Sequence, residues 1–414
     1  MSGDKFDLEF LLAPVSVAEF FSRHWERTPL FVSRREPERY ASLLVTSELD
    51  DIISNAFAQQ KSSIEALGDD EATRRLEARE AMHVAEIYEA YGRGATIRVN
   101  RAQRYSKSLR EMCARLEQLF GFPVRANLYC SPASAQRSPR HYDNHDVLVL
   151  QLSGRKQWRV YNPVVQLPLA NVPPLPFEER TEMLKYARGG PRKGRANIDD
   201  AEAGAPTHEL TLEAGDLLYL PRGFVHEAWT SDAASAHLTV GLHVLTWLDL
   251  LTVALAQVSN RDERFRKSLP IDFDGDTEST LSLKEHLDEL LQVFVRQADA
   301  RQAANELVTS FVRSTQSTGE GALVSAGDAT TINLDTRLER RTGVICRFIA
   351  EGEMVGLASS QTILWMPKSF APALRFAART HRFRPADIPG HLGDNSKLAL
   401  ARRLIQDGLL RIAE

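Results

Sequence analysis

The spacing of apolar residues predicts helices in the first third of the chain. Ser16, followed three residues later by Glu19, is typical of a helix start, and the aromatic residues after it continue the helix. A second helix is predicted over Ser62–Glu80. Residues 105–120 predict a third, amphipathic helix. Its apolar side consists of Leu109, Met112, Leu116 and Leu119.

Short strand-like runs replace this helical pattern between Val124 and Trp247. Gly154 and the segment Ala214–Asp216 predict turns between the runs. The predicted strands are Val147–Leu150, Trp158–Tyr161, Leu217–Leu220 and His237–Val244. A region of many short strands separated by turns is typical of a β-barrel or sandwich.

Beyond Trp247 the apolar residues return to helical spacing. The stripe consists of Leu283, Leu287, Leu290, Leu291, Phe294 and Ala298. Such a stripe packs either against the rest of the chain or against a second subunit, and the pattern leaves both open. The last 90 or so residues are predicted to form a separate small module, from their length and residue pattern.

Composition places the chain among ordinary globular proteins. It has 414 residues, of which 43% are hydrophobic and 26% charged, and a net charge of −4. Its three cysteines form no C-x-x-C motif, which argues against a zinc finger or disulfide framework and favours a reducing cytoplasm. No apolar run approaches the ~20 residues that a membrane helix needs, and the first residues do not resemble a signal peptide.

A long connection, Asn171–Thr207, interrupts the strand-rich region. It is rich in proline, glycine and charge, including Lys185, Arg188, Arg192, Lys193 and Arg195. The simpler interpretation is a solvated surface loop. The alternative is a lid or a clamp for substrate, because long connections are uncommon unless they are functional or disordered.

Three residues have the spacing of a metal site. His141 and Asp143 are two positions apart, so in a strand their side chains point to the same face. His226 follows an apolar strand and a Pro-Arg-Gly turn, and a double-stranded barrel brings such distant strand ends to one mouth. Two imidazoles and one carboxylate are the facial triad of iron oxygenases. The alternative is a surface His141 and a His226 that only caps a loop.

The remaining histidines of this region are not expected to bind the metal. His145 lies farther along the chain from the pair at 141 and 143. His237 and His243 fall in a later strand and suit packing, or partnership with a ligand's second ring nitrogen.

Specific motifs in this region resemble the JmjC-type ribosomal oxygenase (cupin-4) family. The motifs are Asn127–Tyr129, Pro139–Asp143, Gln151–Leu152, Gly154–Lys156, Trp158–Tyr161, Gly215–Ala228 and Ser235–Thr239. The resemblance implies an α+β fold: a double-stranded β-helix (JmjC/cupin barrel) with flanking helices, a helical dimerisation region and a C-terminal winged-helix-like domain. The implied boundaries are 1–246, 247–325 and 326–414.

The resemblance also implies Fe(II) and 2-oxoglutarate as cofactors. His141, Asp143 and His226 would hold the iron, and no catalytic residue is expected beyond this centre. Lys156 would pair with the distal carboxylate of 2-oxoglutarate, since a carboxylate inside a barrel needs a charged partner. The alternative is a solvated lysine in a turn. Asn127 and Thr239 would contact the same cosubstrate and Tyr129 would line the pocket. The competing roles are strand packing for Tyr129 and a cross-strand pair for Thr239.

The implied activity is hydroxylation of a side chain in a ribosomal protein or a ribosomally made peptide, by a homodimer in the cytoplasm. One departure concerns the target: Gly241 stands where family members that hydroxylate histidine carry serine. A JmjC lysine demethylase and a non-catalytic metal-binding or DNA-binding regulator are the alternatives. Nucleic acid is an unexpected partner, because the basic cluster at Arg375, Arg379, Arg382 and Arg384 is small.

Overall fold

The chain divides into two compact units, Met1–Val244 and Leu245–Glu414. A computed structural model describes most residues of both, and for 195–196 and 277–281 it describes the backbone alone. The described residues are 6–45, 47–60, 63–68, 83–135, 139–169, 195–196, 198–269, 277–315, 327, 329–341, 343–360 and 362–413. Most of the connection 171–207 therefore lies outside the described residues, including all of its predicted basic residues except Arg195.

Short helices open the first unit. The predicted cap at Ser16 is confirmed: its hydroxyl accepts a hydrogen bond from the Glu19 amide at 3.1 Å. The helix then widens into a π-helical turn, Phe20–His24, that ends before Trp25. The first elements are α1 (Leu8–Leu12), α2 (Val17–Glu19), β1 (Leu30–Val32) and α3 (Glu48–Gln59).

The helix predicted over Ser62–Glu80 is wrong at its beginning. Residues Ile64–Leu67 form strand β2, in which Ile64 and Ala66 are buried and alternate with half-buried residues. The pairing with β3 (Thr96–Val99) overrides the local helical spacing. Helix α4 (Val84–Gly92) connects the two strands, and residues 69–82 lie outside the described part of the chain.

The amphipathic helix predicted over 105–120 is confirmed as α5 (Lys107–Phe120). Leu109, Met112 and Leu116 are buried as predicted. Leu119 is not, because it lies in the last turn, with 55% of its surface exposed.

A barrel of antiparallel strands follows. Within the described residues, eleven strands are joined by hydrogen bonds in one twisted sheet that folds over itself. Along the sheet, hydrogen-bonded neighbours follow the order β2-β3-β4-β11-β6-β10-β5-β7. Outside this order, β9 pairs with β1 and β6, and β8 pairs with β6. The barrel strands are β4 (Val124–Ser131), β5 (His141–Tyr142), β6 (Asp146–Pro163), β7 (Arg195–Ala196), β8 (His208–Glu213), β9 (Leu217–Leu220), β10 (Phe224–Trp229) and β11 (Ser235–Leu242); a short helix, α6 (Asp200–Ala203), precedes β8.

Strand β6 corrects the turn predicted at Gly154. The strand is continuous over Asp146–Pro163, and Gly154 is a corner within it, with φ at +63°. Residues before the corner pair with β11 and β9, and residues after it pair with β8 and β10. One strand therefore serves both layers of the barrel.

Apolar side chains from both layers fill part of the barrel interior. This cluster consists of Val147, Val149, Trp158, Val160, Leu212, Leu218, Leu220 and Ala228. The outer face of the β4–β11 layer packs instead against the N-terminal helices in a separate, larger core. Burial on both sides explains why β9 and the first half of β6 read as continuous apolar runs.

The second unit contains three long helices and two small sheets. Its sheets have the strand orders β16-β12-β17 and β13-β14-β15. The elements are α7 (Trp247–Arg261), α8 (Thr277–Gln297), α9 (Ala300–Ser314), β12 (Leu338–Arg340), β13 (Cys346–Glu351), β14 (Met354–Ser359), β15 (Ile363–Pro367), α10 (Ala371–Arg379), β16 (Arg382–Phe383), α11 (Asp394–Gln406) and β17 (Leu410–Ile412).

Helix α9 packs on the sheet that contains β13. The Asn305 amide donates a hydrogen bond to the Ala350 carbonyl at 2.6 Å, and Phe311 and Val312 pack with Ile345. The sheets and helices α10 and α11 then share one apolar core. The helical stretch and the C-terminal module are therefore joined by direct packing.

The apolar stripe of α8 is only partly covered. Val293 is buried, whereas Leu287, Leu291 and Val295 expose 55%, 52% and 78% of their surface. On α7, Trp247 is 80% exposed and Leu251 is 51% exposed. Among the described helices, none has the length and apolar character needed to cross a membrane.

Candidate metal centre

The barrel brings His141 and His226 together from positions 85 residues apart in sequence. They are direct partners in the pairing of β5 with β10, and their ring centroids lie 4.3 Å apart. The Nδ1 of His141 lies 2.8 Å from the Pro139 carbonyl, and the Nδ1 of His226 lies 3.0 Å from the Phe224 carbonyl. Each ring thus donates a hydrogen bond from Nδ1 and keeps the lone pair of Nε2 free.

Asp143 completes a cluster of three potential metal ligands. Its Oδ2 lies 3.7 Å from Nε2 of His226, and one donor atom from each of the three residues lies within 4.8 Å of the others. The backbone of Asp143 is fixed as well, because its carbonyl accepts a hydrogen bond from the Gly223 amide at 3.0 Å. The turn that precedes β10 therefore places Asp143 and His226 relative to each other.

Electrostatics keep Asp143 and His226 in the protonation states that bind metal. Burial, with a further effect of His141, lowers the pKa of His226 to about 4, so its ring is neutral at pH 7. Burial raises the pKa of Asp143, but the nearby His145, His141 and His226 outweigh it, and the net pKa lies below the usual value. The site is therefore an anion and a neutral imidazole before any metal arrives.

A buried network of ionic groups stabilises the turn that precedes β10. The Asp146 carboxylate accepts hydrogen bonds from the Tyr219 hydroxyl at 2.9 Å and from Nη1 of Arg222 at 2.8 Å. Arg222 also forms an ion pair with Glu26 at 2.6 Å. Asp146 is fully buried, so both partners are needed to compensate the loss of its hydration.

Lys156 lies inside the barrel, as its position two residues before Trp158 predicts. Only 6% of the residue is exposed, and its ammonium donates a hydrogen bond to the Ser131 hydroxyl at 2.9 Å. Burial lowers the pKa of Lys156 to about 8. Among the described residues, no carboxylate forms an ion pair with it. A buried cation with a neutral partner is unfavourable unless an anion joins it.

A row of rings connects Lys156 with the histidine cluster. His237 stacks on Tyr129 at 4.8 Å between centroids and meets Trp158 edge-on at 5.8 Å. Trp158 in turn lies 6.0 Å from the His226 ring. Within the described residues, the buried Nε1 of Trp158 and Nδ1 of His237 have no hydrogen-bond partner. These two groups can therefore bond a polar ligand in the barrel.

The other residues predicted to contact the cosubstrate lie on neighbouring strands. Asn127 and Thr239 are direct partners in the pairing of β4 with β11. The side-chain oxygen of Asn127 accepts a hydrogen bond from the Arg101 amide at 2.9 Å, so it holds the loop before α5. Tyr129 is held by Arg98, which also forms an ion pair with Glu65.

His145 and His243 form a stacked pair that the sequence does not predict. Their centroids lie 4.6 Å apart, and burial lowers the pKa of His243 to about 2. Gly241 makes the space for this pair, because a Cβ at that position would lie 2.7 Å from Cδ2 of His145. A residue without a side chain is therefore needed at position 241 for steric reasons, and a serine there would displace His145.

The donor set fits a divalent transition metal with open coordination positions. Two imidazoles and one carboxylate on one side match the ligands that ferrous iron takes in oxygenases. The unpaired Lys156 ammonium fits the carboxylate of a cosubstrate inside the same barrel. Fold and site together define a metal-binding double-stranded β-helix of the JmjC class.

The comparisons agree with this class. The family model of the JmjC domain matches residues 98–250. The chain is 34% identical to ribosomal oxygenase 1 of Gallus gallus over 270 residues, which is 64% of this chain and 42% of that protein. It is 27% identical to the bifunctional lysine-specific demethylase and histidyl-hydroxylase NO66 of Aedes aegypti, covering 73% of this chain and 47% of that protein. The chain spans less than half the length of these curated relatives.

A solved structure covers almost the whole chain. YcfD, a ribosomal oxygenase from Escherichia coli determined in complex with cobalt and 2-oxoglutarate, has a TM-score of 0.55 at 16% identity. The match covers 97% of this chain and 99% of that one, so the fold is shared across both units. Residues 98–250 therefore match a JmjC domain, and the chain is similar to ribosomal oxygenases.

Proposed function

We propose that this protein is an Fe(II)- and 2-oxoglutarate-dependent oxygenase that hydroxylates a side chain of a protein. The strongest support is that one barrel contains both a cluster of two histidines and one carboxylate and a buried lysine without an ion-pair partner among the described residues. YcfD, whose fold the chain shares, has been determined with cobalt and 2-oxoglutarate, which agrees with both halves of the site.

The residues of the chain would divide the work as follows. His141, Asp143 and His226 hold the iron, and Lys156 binds the distal carboxylate of 2-oxoglutarate, with Ser131 orienting its ammonium. Bound iron with 2-oxoglutarate supplies the activation of dioxygen for C–H hydroxylation. Trp158 and His237 offer free ring nitrogens to the cosubstrate, and the apolar cluster in the barrel interior excludes water. No protein nucleophile takes part.

The proposed substrate is a ribosomal protein, because the similar proteins from Gallus gallus and Escherichia coli are both named ribosomal oxygenases. A ribosomally made peptide is a second candidate of the same chemistry. Lysine demethylation is the alternative activity, since the relative from Aedes aegypti is named for both reactions. Gly241, which seats His145 beside the centre, distinguishes the target pocket of this chain from one with a serine.

We also propose a homodimer. Helices α7 and α8 expose large apolar residues at Trp247, Leu251, Leu287, Leu291 and Val295. Exposed apolar surface of this extent is typical of an interface. The cytoplasm is the proposed compartment, because Cys113, Cys130 and Cys346 are all free thiols.

Succinate formation tests the activity. The purified chain would be incubated with Fe(II), 2-oxoglutarate and air, beside His141→Ala and Lys156→Ala. We expect uncoupled turnover in the wild type and a loss of at least about 100-fold in each variant, because one lacks a metal ligand and the other the carboxylate partner. Leu119→Ala, at an exposed leucine on α5, is the control and keeps wild-type turnover.

Two results would contradict the proposal. Full turnover in His141→Ala would show that the oxidation does not use this centre. Absence of turnover in the wild type, with ribosomes or ribosomal proteins added, would favour a metal-binding protein without oxygenase activity.

A further inference from the structure

A second cluster of polar side chains lies on the reverse side of the strands that carry the two histidines. Neighbouring residues in a strand point to opposite faces, so Arg140 and Glu227 face away from the cluster that His141 and His226 form. Glu227 is only 2% exposed. It accepts a hydrogen bond from the Tyr161 hydroxyl and forms an ion pair with Nε of Arg140 at 3.3 Å.

Arg140 is itself fixed on several sides. Its guanidinium lies 5.1 Å from the centre of the Tyr161 ring and forms a second ion pair with Asp200. Its carbonyl accepts a hydrogen bond from the Ile198 amide at 3.2 Å. Tyr161 is 1% exposed and belongs to β6, the neighbour of β10. The cluster therefore joins the residue that precedes β5 to β10 and β6 through side chains.

Strand β5 depends on such a connection. It contains only His141 and Tyr142; a single residue pair, His141 with His226, aligns it with β10, and two residue pairs align it with the equally short β7. A strand this short has few backbone hydrogen bonds to resist fraying. A small shift of β5 would move Nε2 of His141 away from the other two donors, and metal sites tolerate little displacement of a ligand.

We propose that Glu227 is a positioning residue for the metal centre: with Arg140 and Tyr161 it locks His141 against His226 from the reverse side of the strands. The inference rests on the proposed metal site, and it adds a role for three residues that touch neither metal nor substrate. Glu227 acts on the geometry of the three ligand side chains, so its substitution should change metal affinity and not only the stability of the fold.

The test is Mn²⁺ binding to the metal-free full chain, measured by electron paramagnetic resonance. We expect Glu227→Gln to raise the Kd for Mn²⁺ about tenfold, a typical effect of residues that orient metal ligands. Tyr161→Phe removes one hydroxyl and is expected to raise Kd by a smaller factor. Substituting Co²⁺ gives a second readout: its visible absorption bands change shape in Glu227→Gln if the ligands are displaced.

Glu209→Gln is the matched control. Glu209 also pairs with an arginine across β6, to Nε of Arg159 at 3.1 Å, but its side chain is 59% exposed. It lies on β8, which among the described strands pairs with β6 and not with β5 or β10, so this variant keeps the Kd and the Co²⁺ spectrum of the wild type. Thermal unfolding of each metal-free variant separates a change of affinity from a loss of folded protein.

Wild-type Mn²⁺ affinity in a folded Glu227→Gln would overturn the inference and leave the proposed function intact. If Glu227→Gln does not fold, Tyr161→Phe decides: an unchanged Kd and spectrum overturn the inference, and a raised Kd supports it. A wild type that binds no Mn²⁺ would contradict the proposed function itself, and the positioning role with it.

Discussion

At the scale of single residues, Lys156 shows how much burial changes the pKa and the partners of a side chain. Its position two residues before Trp158 predicts an inward direction, and the structure has it almost fully buried. Its partner Ser131 was not predicted, although it shares a strand face with Asn127 and Tyr129 by the i, i+2 rule. The sequence does not show how β4 pairs with the rest of the barrel, and this pairing brings Ser131 to the lysine.

The lowered pKa of Lys156 predicts a pH dependence of cosubstrate binding. Because the pKa is about 8 in the metal-free, ligand-free protein, the ammonium loses its proton above that pH and no longer attracts a carboxylate. We expect the affinity for 2-oxoglutarate, measured by calorimetry with Mn²⁺ in place of iron, to fall roughly tenfold per pH unit well above pH 8. A flat profile up to pH 9.5 would contradict this assignment.

Lys156→Met is the control: it should bind 2-oxoglutarate weakly, and the same pH range should not change its affinity.

The lowered pKa of Lys156 also affects the stability of the fold, with a definite sign. The unfolded chain keeps the lysine proton up to about pH 10.4, whereas the folded chain loses it near pH 8. The ligand-free protein should therefore gain stability as the pH rises between these two values, because the unfolded state binds more protons there.

At the scale of elements, the corner of β6 decides how the barrel closes. The sequence predicts two strands with a turn at Gly154, because glycine usually interrupts a run. The structure keeps one strand and uses the glycine to pass from one layer to the other. A local pattern cannot distinguish these cases, since both need a positive φ, and only the partners on each side of the corner differ.

Gly154→Ala should therefore destabilise the first unit strongly. The residue has φ at +63°, and an added Cβ would collide with the carbonyl oxygen of Ala234. We expect a loss of about 3 kcal/mol in the free energy of unfolding, combining backbone strain with a clash against backbone. Urea unfolding followed by tryptophan fluorescence measures it.

Gly121→Ala is the matched control for that experiment. Gly121 follows α5 in the left-handed conformation, with φ at +77°, and a Cβ there meets no atom within 4 Å. Only the cost of a left-handed backbone remains, about 1 kcal/mol. Equal losses in the two variants would show that the close approach to Ala234 has no energetic weight.

At the scale of the whole molecule, the exposed apolar stripe on α8 tests the proposed dimer. Replacing Leu287, which is 55% exposed, with glutamate places a charge in the proposed interface. We expect Leu287→Glu to shift the protein from dimer to monomer in light scattering at micromolar concentration. Leu119→Glu changes a leucine of equal exposure on α5 and should leave the dimer intact. A monomeric wild type at all concentrations would refute the dimer.

The residue pattern alone indicates the chemistry of the centre: a histidine and an aspartate with strand spacing, a later histidine after an apolar strand, an inward lysine and an iron-oxygenase donor set. These follow from the two-residue period of a strand and the coordination preferences of metals, both of which are local. Tertiary structure alone decided the strand at Ile64–Leu67, the corner at Gly154 and the Arg140–Glu227 cluster behind the histidines. Each of these depends on pairing between segments far apart in sequence, and such pairing overrides local preference.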